Sequence, residues 1–206
     1  MADLARIPIS SLYRVAFADP SKGKTHANAA QSRSAIAVVG QDEFEREFLL
    51  DEFAEQCPTS QFIEQIISKW RIWRPRVFGV DTSGPQKPFY DSLVMETRRR
   101  GLKIPFLAVT LQGEKIARIE DRLEPSLSDG RYFVHATAVR AHEEGKDFPS
   151  GYLDLLDCMS ECHKLFPKRA TTTTKITERE REIESMKRQG TPYEKIMTRL
   201  RAKYGN

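Results

Sequence analysis

The chain has 206 residues, of which 39% are hydrophobic and 30% charged, the size and balance of one globular α/β domain with a small appendage. It has no apolar run near the roughly 18 residues of a membrane span, no signal-peptide pattern, and only three cysteines, too few for a disulfide framework, so we expect a cytoplasmic protein. The net charge of +4 is uneven, because residues 164–206 hold 12 Lys and Arg against 5 Asp and Glu, whereas residues 1–163 hold 21 against 24.

The first part of the chain predicts a three-strand antiparallel meander. Residues 12–18 and 34–40 are apolar runs typical of strands, and the polar stretch between them carries no helical apolar stripe. Residues 43–53 follow a Gly-Gln-Asp turn and predict a third strand, although their apolar pattern is weak. Sequential strands joined by loops favour antiparallel pairing.

The middle of the chain alternates helices with strands. Apolar residues at helical spacing predict a helix that begins near Pro58 and ends at Pro75. The elements predicted after it are a strand at 76–81, a helix at 88–100, a strand at 103–110, a helix at 115–127, a short edge strand at 132–136 and an apolar helix at 151–166, with further helices beyond. A meander followed by α/β crossovers indicates an α/β fold with a mixed sheet flanked by helices, which we assign to a domain over residues 1–166.

The C-terminal residues predict a separate basic appendage. Residues 167–176 contain a threonine run and read as a linker, and residues 177–206 predict a helical hairpin with Gly190 ending its first helix and Thr191 capping its second. Its positive charge is that of an ordinary solvated surface or of a surface that contacts phosphates or a partner. The sequence leaves these alternatives open.

The stretch "VAFADPSKGKTH" at residues 15–26 supports two different sites. As a relaxed phosphate loop, Gly23-Lys24-Thr25 would bind a nucleotide, which would make the protein an ATPase or GTPase. Pro20 removes one backbone donor, Asp19 places a negative charge beside the anion, and no amphipathic helix follows, so this alternative is disfavoured. If the start of this stretch is instead a strand, the carboxylate of Asp19 lies at the end of that strand, where a sheet ends.

Three further aspartates occur in or beside apolar segments, where an unpaired charge is costly. Asp81 ends the strand predicted to lie beside the first strand, while Asp154 and Asp157 lie three residues apart on one helical face. Clustered carboxylates without histidines or thiolates suit Mg²⁺ or Mn²⁺, and two such ions can activate water for phosphodiester hydrolysis. We therefore expect Asp19, Asp81, Asp154 and Asp157 to form a two-metal catalytic site.

Four segments together resemble the C-terminal nuclease domain of the large terminase subunit of tailed bacteriophages. They are "YRVAFADPSKGK", "RVFGVDTSGPQKPFYDSL", "KIARIEDRLEPSLSDGRYFV" and "FPSGYLDLLDCMS", within residues 10–166. The resemblance implies an RNase H-like fold, related to the Holliday-junction resolvases, with Asp19 and Asp81 as metal ligands. Tyr152 and Leu153 stand where that family often has His and Asp, so the third ligand is expected to be Asp154, with Asp157 a fourth ligand or a supporting group.

The resemblance also implies a function. The implied function is that of a metal-dependent endonuclease that cleaves double-stranded DNA during phage genome packaging in the host cytoplasm. The implied partners are a terminase ATPase motor, the small terminase subunit and the portal. Because a full terminase carries its motor before this domain, we expect an excised domain or a separately encoded nuclease. A Holliday-junction resolvase and an interaction module with an idle site remain alternatives.

Four basic residues are candidates for contacts to DNA phosphates. Lys22 and Lys24 lie beside Asp19, and they bind a phosphate near the metals or belong to a solvated loop. Lys115 and Arg118 lie about one helical turn apart and bind the backbone or face solvent, and the sequence favours solvent.

Overall fold

A computed structural model describes residues 8–21, 33–167 and 186. The chain divides into two compact units, Met1–Phe166 and Pro167–Asn206. In the second unit only Pro167 and Met186 are described, and Met186 is helical and buried. The predicted linker and basic hairpin otherwise lie outside the described residues, as do Lys22, Lys24 and the whole of Gly23-Lys24-Thr25.

The first unit is built on a six-stranded mixed sheet, which confirms the predicted RNase H-like α/β class. The strand order is β5-β4-β1-β2-β3-β6. The first three strands form the predicted antiparallel meander, β4 pairs parallel with β1, β5 pairs parallel with β4, and β6 pairs parallel with β3. The strands are β1 (Tyr13–Asp19), β2 (Ser34–Gln41), β3 (Glu47–Glu55), β4 (Val77–Asp81), β5 (Phe106–Val109) and β6 (Tyr132–Val134).

Helices cover both faces of the sheet. They are α1 (Thr59–Trp73), α2 (Lys87–Arg99), α3 (Lys115–Ser128), α4 (Val139–Asp147) and α5 (Asp154–Leu165), with short 3₁₀ turns at Ile9–Ser11 and Gly84–Gln86. Because side chains alternate across a strand, Ala16 and Ala18 of β1 pack in one apolar core with α1, while Val15 and Phe17 pack in a second core with α5. The sheet is therefore the middle layer of three.

Several elements differ from the sequence prediction in their bounds, and one helix was not predicted. The last helix begins at Asp154 rather than Gly151, because Gly151 adopts a positive φ of 72°. Helix α3 ends at Ser128, one residue beyond the predicted end, with Pro125 inside it. Helix α4 was not predicted, since only Ala141 and Glu144 of its residues are buried and no apolar stripe exists.

Two topological facts place the candidate residues. Strands β1 and β4 are parallel neighbours paired through Ala18 and Val80, so their last residues, Asp19 and Asp81, end at the same edge of the sheet. Strand β1 pairs antiparallel with β2, the next described element, whereas a phosphate loop connects a strand to a helix. The described neighbours of that loop thus give the nucleotide-binding alternative no support. None of the helices within the described ranges is long and apolar enough to span a bilayer.

Candidate active site

Asp19 and Asp81 form the sheet side of the candidate site, and both are buried. The Oδ1 atom of Asp19 accepts a hydrogen bond from Nε2 of Gln86 at 3.0 Å, and Oδ1 of Asp81 accepts one from the backbone N–H of Ser83 at 2.8 Å. Within the described ranges, the second oxygen of each carboxylate has no hydrogen-bond partner. Each aspartate is thus oriented through one oxygen, with the other oxygen available to a ligand.

Asp154 and Asp157 lie in the first turn of α5 and form the helix side of the site. Asp154 accepts hydrogen bonds from Nζ of Lys115 at 2.7 Å and from the backbone N–H of Arg33 at 3.0 Å. Both oxygens of Asp157 accept from Arg118, through Nε at 3.1 Å and Nη2 at 2.7 Å. Asp157 is therefore fully engaged by a guanidinium, unlike Asp19 and Asp81.

The carboxylates act as one electrostatic cluster. Burial raises the pKa of Asp19 to about 8, the positive charge of Lys115 opposes this shift, and the negative charges of Asp81, Asp154 and Asp157 add to it. Burial alone would lower the pKa of Lys115, but Asp154 and Asp19 outweigh burial and raise it. The ammonium group of Lys115 is thus a positive charge held among the carboxylates of the site.

Lys115 and Arg118 belong to an ion-pair ladder between α3 and α5. Lys115 pairs with Asp154, Arg118 with Asp157, and Arg122 of the next turn with Glu161. The side chain of Arg118 is only 10% exposed and that of Lys115 only 33%, so the expectation that they face solvent was wrong. The matching spacings, 115, 118 and 122 against 154, 157 and 161, are the sequence signal that identifies such a ladder.

Three further residues beside the cluster were missed by the sequence reasoning. Gln86 holds Asp19 and the carbonyl of Pro20 through Nε2, while its buried Oε1 has no partner among the described residues. Arg33 holds Asp154, and Glu144 holds Arg33. No sequence pattern identifies Gln86 or Arg33, because a lone polar residue beside a turn or strand is ordinarily exposed.

The donor set fits hard divalent cations by its chemistry, since it consists of carboxylates only. Among the described residues, however, no three His, Cys, Asp or Glu side chains lie close enough together to hold an ion in this arrangement. Like charges repel, and the pairs with Lys115 and Arg118 draw Asp154 and Asp157 toward α3. The use of the aspartates as metal ligands therefore stays a prediction.

No protein-family model and no curated protein matches the sequence. Solved structures match at the level of the fold. The chain is similar to the large terminase nuclease from the thermophilic phage G20c, in a crystal structure with bound zinc, at 14% identity and a TM-score of 0.55, covering 77% of this chain and 84% of that one. A second crystal structure of that nuclease gives 11% identity and a TM-score of 0.52, over 77% of this chain and 84% of that one.

The large terminase of bacteriophage HK97 is also similar, at 12% identity and a TM-score of 0.54 over 76% of this chain. The match covers 42% of the HK97 chain. At these identities the likeness concerns the fold, and it agrees with the resemblance seen in the sequence. The fold of this chain is the RNase H-like fold of large terminase nucleases.

Proposed function

We propose that this chain is a metal-dependent endonuclease that cleaves double-stranded DNA during phage genome packaging. One observation supports the proposal: buried carboxylates from β1, β4 and α5 influence one another electrostatically beside the end of β1, in a fold shared with terminase nucleases. Asp19, Asp81 and Asp154 would hold two Mg²⁺ or Mn²⁺ ions. When bound, such ions supply a nucleophilic water and stabilise charge on the phosphate oxygens.

The protein's own side chains would prepare this chemistry. Gln86 fixes the orientation of Asp19, and Ser83 fixes that of Asp81. Arg118 binds both oxygens of Asp157 and holds it in place, so Asp157 assists the site as a support for α5. Lys115 balances the negative charge and would contact a DNA phosphate, as would Lys22 and Lys24 beside Asp19.

The wider context follows from the same resemblance. A terminase nuclease works with an ATPase motor, a small terminase subunit and a portal, in the cytoplasm of the host, and we propose the same partners and location here.

A plasmid-cleavage assay with Mn²⁺ or Mg²⁺ tests the proposal. The variants Asp19→Asn, Asp81→Asn and Asp154→Asn each lose cleavage, because each removes a charged ligand while keeping the shape of the side chain. Asp129→Asn is the matched control, since Asp129 is exposed and pairs with the exposed Arg131. Undiminished cleavage by Asp19→Asn and Asp81→Asn would contradict the assignment of these residues as metal ligands. Faster cleavage of branched than of linear duplex DNA would indicate a resolvase instead.

A further inference from the structure

Glu144 is a buried carboxylate on α4, 2% exposed, to which the proposed chemistry assigns no role. Its Oε2 atom accepts hydrogen bonds from the backbone N–H groups of Leu155 and Leu156, at 2.9 and 3.0 Å. These donors belong to the first turn of α5, which also carries Asp154. Glu144 therefore caps, from another helix, the turn that presents a proposed metal ligand.

The other oxygen of Glu144 binds Arg33, the residue immediately before β2. The distance from Oε1 to Nη2 of Arg33 is 2.5 Å. The guanidinium of Arg33 also lies over the ring of Tyr152, with Cζ 3.8 Å from the ring centroid. Arg33 is thus held by a carboxylate and an aromatic ring while its own backbone N–H donates to Oδ2 of Asp154 at 3.0 Å.

We propose that Arg33 and Glu144 are positioning residues for Asp154. Glu144 fixes the Arg33 side chain and the start of α5, and the backbone N–H of Arg33 then orients the Asp154 carboxylate. The inference rests on the proposed function, because it takes Asp154 as a metal ligand. Groups that orient a ligand from outside the coordination sphere typically change metal affinity about 10–100-fold when removed.

Two variants separate the parts of this arrangement. Glu144→Gln keeps an acceptor oxygen for the α5 N–H groups but turns an NH₂ group toward Arg33, so it breaks the ion pair and retains the cap. Arg33→Met removes the guanidinium and keeps an unbranched apolar side chain beside Tyr152. The matched control is Glu143→Gln, the next residue on α4, whose side chain is 51% exposed and pairs with Arg140.

Mn²⁺ affinity, measured by calorimetry on the full chain, is the main readout, and hydrogen exchange of the Arg33 amide in EDTA is the second. We expect about tenfold weaker Mn²⁺ binding and faster amide exchange in Glu144→Gln and Arg33→Met, with Glu143→Gln unchanged. A lower Tm with unchanged Mn²⁺ affinity would mean a purely structural role and overturn the proposal. If the wild-type chain binds no Mn²⁺, the proposed metal site itself is wrong. If the Arg33 amide exchanges at the wild-type rate in Glu144→Gln and Arg33→Met, the proposed positioning of Asp154 by Arg33 is wrong. The two failures are therefore distinguishable.

Discussion

Replacing Asp19 with asparagine distinguishes the effect of this buried carboxyl group on folding stability from its proposed role as a metal ligand. Asparagine has nearly the same shape, and its Oδ1 can still accept the hydrogen bond from Gln86. The substitution removes an ionisable group whose pKa the other three carboxylates raise. Because Asp19 is buried among negative charges, we expect the metal-free variant to be more stable than the wild type.

The pKa of Asp19 sets the size of this effect. It is about 8 in the folded chain against an ordinary value of 3.8, so the folded state holds a proton that the unfolded chain releases. The contribution of Asp19 to stability is complete below pH 3.8 and is lost as the pH rises toward 8, at about 1.4 kcal/mol per pH unit. At pH 7 the loss is on the order of 4 kcal/mol, which corresponds to a rise of about 10 °C in Tm for the asparagine variant.

Thermal unfolding in EDTA at pH 4 and pH 8 measures the effect, with Asp129→Asn as the control. The Tm difference between Asp19→Asn and the wild type should be small at pH 4 and large at pH 8. Adding Mn²⁺ at pH 8 should raise the Tm of the wild type and not that of Asp19→Asn, because binding to the folded state alone stabilises it. Equal Tm values for the two chains in EDTA at pH 8 would refute the reasoning.

Other substitutions give further expected outcomes. Lys115→Met removes the ammonium group that pairs with the carboxylates, so the Tm of the variant should fall in EDTA and recover with Mn²⁺ in thermal scans. Its cleavage of plasmid DNA should fall at least about tenfold. Arg118→Ala leaves the buried Asp157 without its two close hydrogen bonds and with a longer ion pair to Lys115, at 3.9 Å, and should lower the free energy of unfolding in urea by about 3–5 kcal/mol. Gly79→Ala places a Cβ 2.5 Å from the Phe17 ring and should lower the free energy of unfolding by about 1–3 kcal/mol. Gly145→Ala adds a Cβ that meets no atom of the described residues within 4 Å and should raise the free energy of unfolding by about 0.5–1 kcal/mol. A loss in Gly145→Ala as large as in Gly79→Ala would contradict the packing argument.

The sheet and the acidic cluster could be predicted because their signals are local. Apolar runs identify the strands, and an aspartate that ends such a run lies at the edge of the sheet wherever two strands are parallel neighbours. Asp19 and Asp81 end neighbouring parallel strands for this reason. Asp154 and Asp157 share a face because helical periodicity fixes it, whatever the rest of the fold.

The supports of the site could not be predicted, because their partners are distant in sequence. The first N–H groups of α4 are capped by the carboxylate of Glu52, from β3, so nothing near residue 139 marks the start of that helix. Lys115 and Arg118 were expected to face solvent since most basic residues do. Their spacing matches that of the acidic residues of α5, but this match becomes informative only once α3 and α5 are known to be neighbours. A sequence read alone has no access to such long-range compensation.

The two halves of the site are held by different means. Asp19 and Asp81 are positioned by the pairing of β1 with β4 at the centre of the sheet. Asp154 and Asp157 depend on the orientation of α5, which the α3 ladder and Glu144 fix through charged contacts. Salt screens the exposed part of such charged contacts, whereas it does not weaken strand pairing. If the proposed metal site is correct, we therefore expect the helix side to tune metal binding, and substitutions in α3 or α4 should alter metal affinity without disturbing the sheet.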